Sequence, residues 1–246
     1  MPPDETIEQI PPSPDGGEAP PEAVPWTIRD VLVGTAFLTV LAVLLLSGLV
    51  AAALLLNMKG AADRILLSLY VTLLLDVLML AIVWNLTVRK YRVRWRTLGF
   101  KSLGGRAFVA AWAVVGAGLV ISVVYGAVVS LLKLDALKSP PLPPIFSAGG
   151  WSWVLGGVLV LVMAPIAEET FFRGFVFTGI SQRFGFWWGA GISAILFAVA
   201  HAQLGALIPV FVLGLFLAWL YSRTQSLWSC ILAHFLYNGL VLAVAR

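Results

Sequence analysis

Apolar runs near 31–56, 65–88, 107–132, 151–180, 188–202, 204–222 and 227–245 leave this chain little choice of fold. Most reach the roughly 20 residues that a helix needs to cross a bilayer. Only 11% of the residues are charged and 60% are hydrophobic, too little polar surface for a soluble domain of this length. The expectation is an all-α protein, a polytopic transmembrane helical bundle of about seven to eight spans. Any polar site lies between the C-terminal helices, where the intramembrane charges are.

Between the runs, composition sets the organisation. Residues 1–28 carry eight prolines and six acidic residues with no apolar periodicity, which predicts a disordered proline-rich tail. Lacking a basic start and a cleavable apolar segment, it does not read as a signal peptide. N-terminal transmembrane helices then fill 29–150 and C-terminal helices with the candidate site 151–246, all in one membrane domain. The stretch 133–150, with "SPPLPP", is expected to be an irregular connection, because proline interrupts a helix. Gly185 and Gly189 have the small-xxx-small spacing of close helix packing.

The net charge of +4 does not mark a nucleic-acid binder. Seven of the sixteen basic residues crowd into 89–106, as in a cytoplasmic loop that meets anionic lipid headgroups. With that loop inside, the N-terminus is cytoplasmic too, and the expected location is a prokaryotic plasma membrane. Cys230, the single cysteine, excludes an internal disulfide and reads as a small buried apolar residue.

Against this apolar background the stretch "APIAEETFFRGF" (164–175) stands out. An isolated charge in the bilayer centre costs several kcal/mol, so each needs a partner or a wet cavity. At 1.5 Å per residue, Glu168 lies roughly 18 Å from the inner end of its span, His201 roughly 20 Å, and His234 and Asn238 roughly 10–17 Å. Three helices thus bring polar groups to a similar depth. Glu169 and Arg173, four apart, share a helix face and suit a structural ion pair. Glu168 is rotated about 100° from Glu169 and left free. Phe197 stands one turn before His201 and can wall the site. Asp76, in "LLLDVLML", suits a bond to a neighbouring helix, and no spacing connects it to the others. Gln203 and Tyr237 read as ordinary interface residues.

These groups suit hydrolysis of a peptide bond without a serine or cysteine nucleophile. A carboxylate beside an imidazole can hold a water and take its proton, and a second histidine with an amide can donate to the oxyanion. A metal is the competing version, since Glu168, His201 and His234 form a familiar zinc ligand set. The contiguous H-E-x-x-H motif is absent, so residue types alone leave zinc and no metal both open.

The motifs bear a family resemblance. "EETFFR" (168–173) resembles the E-E-x-x-x-R motif of the CAAX prenyl protease 2 and bacteriocin-processing (CPBP, or Abi) family of intramembrane proteases. "FAVAH" (197–201) is similar to its F-x-x-x-H motif and "HFLYN" (234–238) to its H-x-x-x-N motif. The resemblance covers roughly 150–245 and implies an endopeptidase acting on a peptide or protein in or at the membrane. It implies that Glu168 and His201 activate water, that His234 and Asn238 stabilise the oxyanion, and that Glu169 and Arg173 support them. Both CAAX-type and bacteriocin-type substrates fit it, and it tilts the mechanism toward glutamate-activated water. Two other classes compete: a proton- or ion-coupled transporter, whose relays also use buried Glu and His, and a non-catalytic immunity or scaffold protein. Neither the paired broken helices nor the repeated halves of many transporters are visible.

Overall fold

A computed structural model describes residues 23–57, 60–139, 146 and 150–244. Seven helices carry the architecture: α1 (Ile28–Leu55), α2 (Ala61–Val83), α3 (Gly105–Leu131), α4 (Trp153–Phe184), α5 (Phe186–Ala200), α6 (Leu207–Thr224) and α7 (Leu227–Val244). Among the described residues there is no strand. Six helices are long and apolar enough to cross a membrane, while α5, at 15 residues, is shorter. This is a polytopic helical bundle, an integral membrane protein. Large apolar side chains such as Leu44, Val123 and Trp187 are exposed on its outside, as expected of helices solvated by lipid.

Helix α4 lies at the centre. Its stretch 170–177 is wholly buried, and α2, α5 and α7 all pack against it. Two segments of α4, Leu159–Met163 and Thr170–Phe177, are wound more widely than an α-helix. Pro165 accounts for the first, because it has no N–H to offer Leu161 and its ring crowds that carbonyl. The backbone carbonyls of these wide turns become docking points for other segments. Val160 O accepts from Asn238 of α7 at 3.0 Å, Phe172 O from Ser193 of α5 at 2.8 Å, and Phe175 O from the indole of Trp26 at 3.1 Å.

That last bond corrects the expected tail. Residues 1–22 of the stretch 1–28 lie outside the described residues, but Val24 is clamped on both backbone groups by Gln182 (2.9 and 3.0 Å). Trp26 is buried, and Thr27 caps α1 in a reciprocal bond with Asp30. An aromatic anchor among prolines escapes a composition argument. The connection expected over 133–150 is described at 133–139, 146 and 150, with a tight turn at Asp135–Leu137.

The end of the bundle that bears the basic loop is stitched together. Asp30 of α1 accepts from Tyr91 at 2.6 Å and from Lys90, and the bond to Asp30 holds the Lys90 ammonium above its usual range. Residues 98–101 are pinned to the α6–α7 turn through Tyr221 to Leu98 O (3.0 Å), Leu227 N to Gly99 O (2.7 Å) and Ser226 to Lys101 O (2.9 Å). Gly185 and Gly189 serve different ends. Gly185 turns the chain from α4 into α5 at φ +83°, a backbone state that glycine adopts without strain. Gly189 is the packing residue, for a Cβ there would sit 2.7 Å from Ser181 Cβ.

Candidate active site

The site grows from the two adjacent glutamates of α4. Glu169 points into the core, fully buried, and its Oε1 accepts from Arg173 Nη1 at 2.9 Å and from His234 Nδ1 at 2.8 Å. Arg173 is equally buried and donates further to Gly214 O on α6 at 3.4 Å. That backbone comes close because Gly214 has no side chain; a Cβ there would lie 3.0 Å from Ala194. The i,i+4 pair expected from the spacing is therefore present, and it also grips α7 through a histidine.

Glu168 faces a different way. Its side chain keeps 17% exposure, while Oε2 is buried with no hydrogen-bond partner. His234 Nε2 lies 3.9 Å from that oxygen. The imidazole thus spans the two glutamates. Since the Glu169 carboxylate can only accept, Nδ1 carries the hydrogen. Nε2 then meets Glu168 as an acceptor when the ring is neutral and as a donor when it is protonated. The 3.9 Å gap is too long for a direct bond.

Phe197 gathers the remaining members. Arg173 stacks over its ring at 4.2 Å, and both imidazoles meet it edge-on, His201 at 4.8 Å and His234 at 5.6 Å between centroids. His201 ends α5, half-buried, with Nδ1 2.8 Å from Phe197 O. A carbonyl fixes Nδ1 as the protonated nitrogen and leaves Nε2 as a free acceptor. Asn238, one turn beyond His234, reaches α4 too, but at Val160, two turns before Glu168. One N–H of its amide is spent there, leaving the second N–H and the carbonyl oxygen.

The structure thus joins His234 to both Glu168 and Glu169, and His201 to His234 through Phe197. Asn238 is tied to the same helix by a separate bond. Each histidine presents Nε2 with Nδ1 held, as metal-ligating histidines do. Yet among the described residues no three His, Cys, Asp or Glu side chains are close enough to hold one ion, Glu168, His201 and His234 included. As arranged, these residues do not fit a zinc ligand set.

Asp76 is the residue that spacing did not connect. It sits in α2, the helix that packs on the 164–169 segment of α4, and is 2% exposed, with Oδ2 unpartnered. A lone acid inside an apolar helix was the available signal, but its target helix was not readable. Beside the site, Leu161, Val162, Ile166, Ile231 and Phe235 line an apolar groove of about 400 Å³ between α4 and α7. Cys230 is fully buried and Tyr237 bonds Ser122 of α3 at 2.7 Å, as expected of both, whereas Gln203, expected at an interface, is exposed.

Comparison with known proteins points the same way for this half of the chain. Residues 150–240 match the family described as "Type II CAAX prenyl endopeptidase Rce1-like". "Putative membrane peptidase YdiL" of Bacillus subtilis is 31% identical over 108 residues, 44% of this chain and 39% of the relative. "UPF0177 protein YxdF" of Lactococcus lactis is 26% identical over 113 residues, 42% of this chain and 62% of that protein. An "Uncharacterized 24.3 kDa protein" of Escherichia coli is 32% identical over 121 residues, 46% of this chain and 56% of the relative. The matches thus span between 39% and 62% of the relatives' own length. No solved structure matches the chain. Glu168, Glu169, Arg173, His201, His234 and Asn238 all fall inside residues 150–240, the segment that matches the type II CAAX prenyl endopeptidase Rce1-like family.

Proposed function

We propose that this protein is an intramembrane endopeptidase that hydrolyses a peptide bond of a membrane-associated peptide or protein through a water activated by Glu168 and His201. The observation that carries the reading is the unpartnered Glu168 Oε2, buried 3.9 Å from His234 Nε2 on a different helix. A buried acceptor without a donor costs roughly 1–3 kcal/mol or more. Glu169 Oε2 and Arg173 Nε are unpartnered too, but those side chains are bound to each other and to His234, whereas no hydrogen bond among the described residues holds the Glu168 carboxylate.

In this mechanism Glu168 removes a proton from water as the oxygen attacks the scissile carbonyl carbon. His201, whose Nε2 is free to accept, steadies the same water. His234, when doubly protonated, donates from Nε2 to the oxyanion, and the uncommitted N–H of Asn238 adds a second donor. Glu168 then passes its proton to the leaving nitrogen as the C–N bond breaks. Glu169 and Arg173 fix the tautomer and orientation of His234 without touching substrate. The apolar groove between α4 and α7 suits a lipid-embedded segment beside the scissile bond. Both CAAX-type and bacteriocin-type substrates match this chemistry, and the basic loop 89–106 and the N-terminus face the cytoplasm.

Comparing membrane-peptide termini by mass spectrometry in cells carrying the wild type and Glu168→Gln tests the reading. New termini that depend on Glu168 are expected. Identical termini in both strains would contradict it.

A further inference from the structure

The apolar groove between α4 and α7 joins two ends of different chemistry. Besides the residues already named, Leu103 of the basic loop and Trp228 line it. Trp228, Ile231 and Phe235 are spaced three and four apart, so they form one stripe along α7. At the deep end, Leu161 follows Val160, whose carbonyl holds Asn238, and a Cβ on Gly239 would lie 3.9 Å from Leu161. Asn238 keeps its second N–H and its carbonyl oxygen there. An acyl chain can satisfy neither, whereas a peptide backbone carries both a donor and an acceptor. The occupant that suits this end is polypeptide.

The other end is basic. Phe100 meets Trp228 edge-on at 5.6 Å and Trp95 at 5.7 Å between centroids. This ring ladder sets the stretch Arg94–Trp95–Arg96 two ring contacts from the groove mouth. Arg92, Arg94, Arg96 and Arg106 are exposed. Among the described residues the acid at this end is Asp30, which is buried and bonded to Lys90 and Tyr91. Asp63 and Asp135 lie at the far ends of α2 and α3, and Asp76, Glu168 and Glu169 lie within the bundle.

We propose that the site selects peptides whose apolar stretch fills this groove and is flanked by acidic residues where it emerges under the basic loop. The inference rests on the peptidase reading above and names its substrate class. Positive charge gathered at one mouth attracts an acidic flank and repels a lysine-rich one. Length sets the register. From Trp228 to Asn238, α7 rises about 15 Å at 1.5 Å per residue. An extended peptide spans that in about four or five residues at roughly 3.3 Å each. The substrate's acids therefore stand about four or five residues from the carbonyl that meets Asn238.

The test uses purified full-length protein in nonionic detergent and three fluorescein-labelled peptides with one apolar core and three Glu, three Ser or three Lys at both ends. Binding is read by anisotropy on Glu168→Gln, and wild-type cleavage by mass spectrometry of the products. The Glu-flanked peptide is expected to bind about tenfold more tightly than the Lys-flanked one, with the difference shrinking in about 1 M salt. Adding Arg94→Glu and Arg96→Glu should reverse that order at an unchanged unfolding midpoint, since both side chains are exposed. The wild-type cut is expected about four or five residues from the Glu run. Equal affinity for all three peptides would overturn the inference, and so would a preference that survives the loop substitutions. Loss of co-purified phosphatidylglycerol in the loop variant, with the peptide order intact, would assign the loop to lipid and overturn it too. Unchanged hydrolysis by Glu168→Gln would instead remove the peptidase reading, a separate outcome from the order of binding.

Discussion

His234 on α7 and Glu169 on α4 are joined by a buried 2.8 Å hydrogen bond between Nδ1 and Oε1. The same Glu169 oxygen carries the ion pair with Arg173. One carboxylate oxygen therefore fixes both a helix register and a histidine tautomer. Stability and chemistry are coupled at this atom, and the coupling can be measured.

Arg173→Met should strip Glu169 of its countercharge inside the core. Breaking a buried pair from one side costs about 3–5 kcal/mol, and a lowered unfolding midpoint is the expected readout. Because a well-packed apolar pair is often neutral, the Arg173→Met, Glu169→Leu double variant should regain much of that stability. It should stay inactive, since His234 has lost its orienting acceptor.

Phe197 contacts Arg173, His201 and His234 with one ring. Phe197→Ala should cost about 3–5 kcal/mol as a cavity opens. Phe197→Leu keeps most of the volume but loses the ring face under the guanidinium, worth about 0.5–2 kcal/mol. A drop in kcat in the leucine variant well beyond its loss in stability would show that the ring positions the imidazoles. Proportional losses would reduce Phe197 to core.

Metal content gives an independent check on the ligand geometry. Purified active protein is expected to hold far less than one zinc per chain and to keep its activity after chelator treatment. Stoichiometric zinc, lost together with activity and restored with it, would show that Glu168, His201 and His234 rearrange around an ion.

Topology is testable because Cys230 is fully buried and should resist labelling. A single exposed cysteine introduced as Ser102→Cys should react with a membrane-impermeant maleimide only in inside-out vesicles. Labelling in right-side-out cells would reverse the orientation.

Much of the helical frame was legible because transmembrane helices are written in runs of one polarity. The Glu169–Arg173 pair was legible because a four-residue spacing is local. What escaped depends on which helix meets which. Nothing in "LLLDVLML" says that the helix of Asp76 packs on α4, and nothing in "HFLYN" says that Asn238 spends an N–H on Val160. That His234 bonds Glu169 rather than Glu168 depends on how α7 docks on α4, which no local spacing states. The composition of residues 1–28 hid Trp26 for a similar reason, since its anchor, Phe175 O, lies 149 residues away.

The most direct measurement is the rate at which purified wild-type and Glu168→Gln proteins, matched in unfolding midpoint, cleave the same farnesylated peptide. The glutamine keeps the shape of the side chain but cannot take a proton from water. A loss of at least about 100-fold in kcat, with the midpoint unchanged, is the predicted result. Cleavage by the folded variant at the wild-type rate would contradict the account.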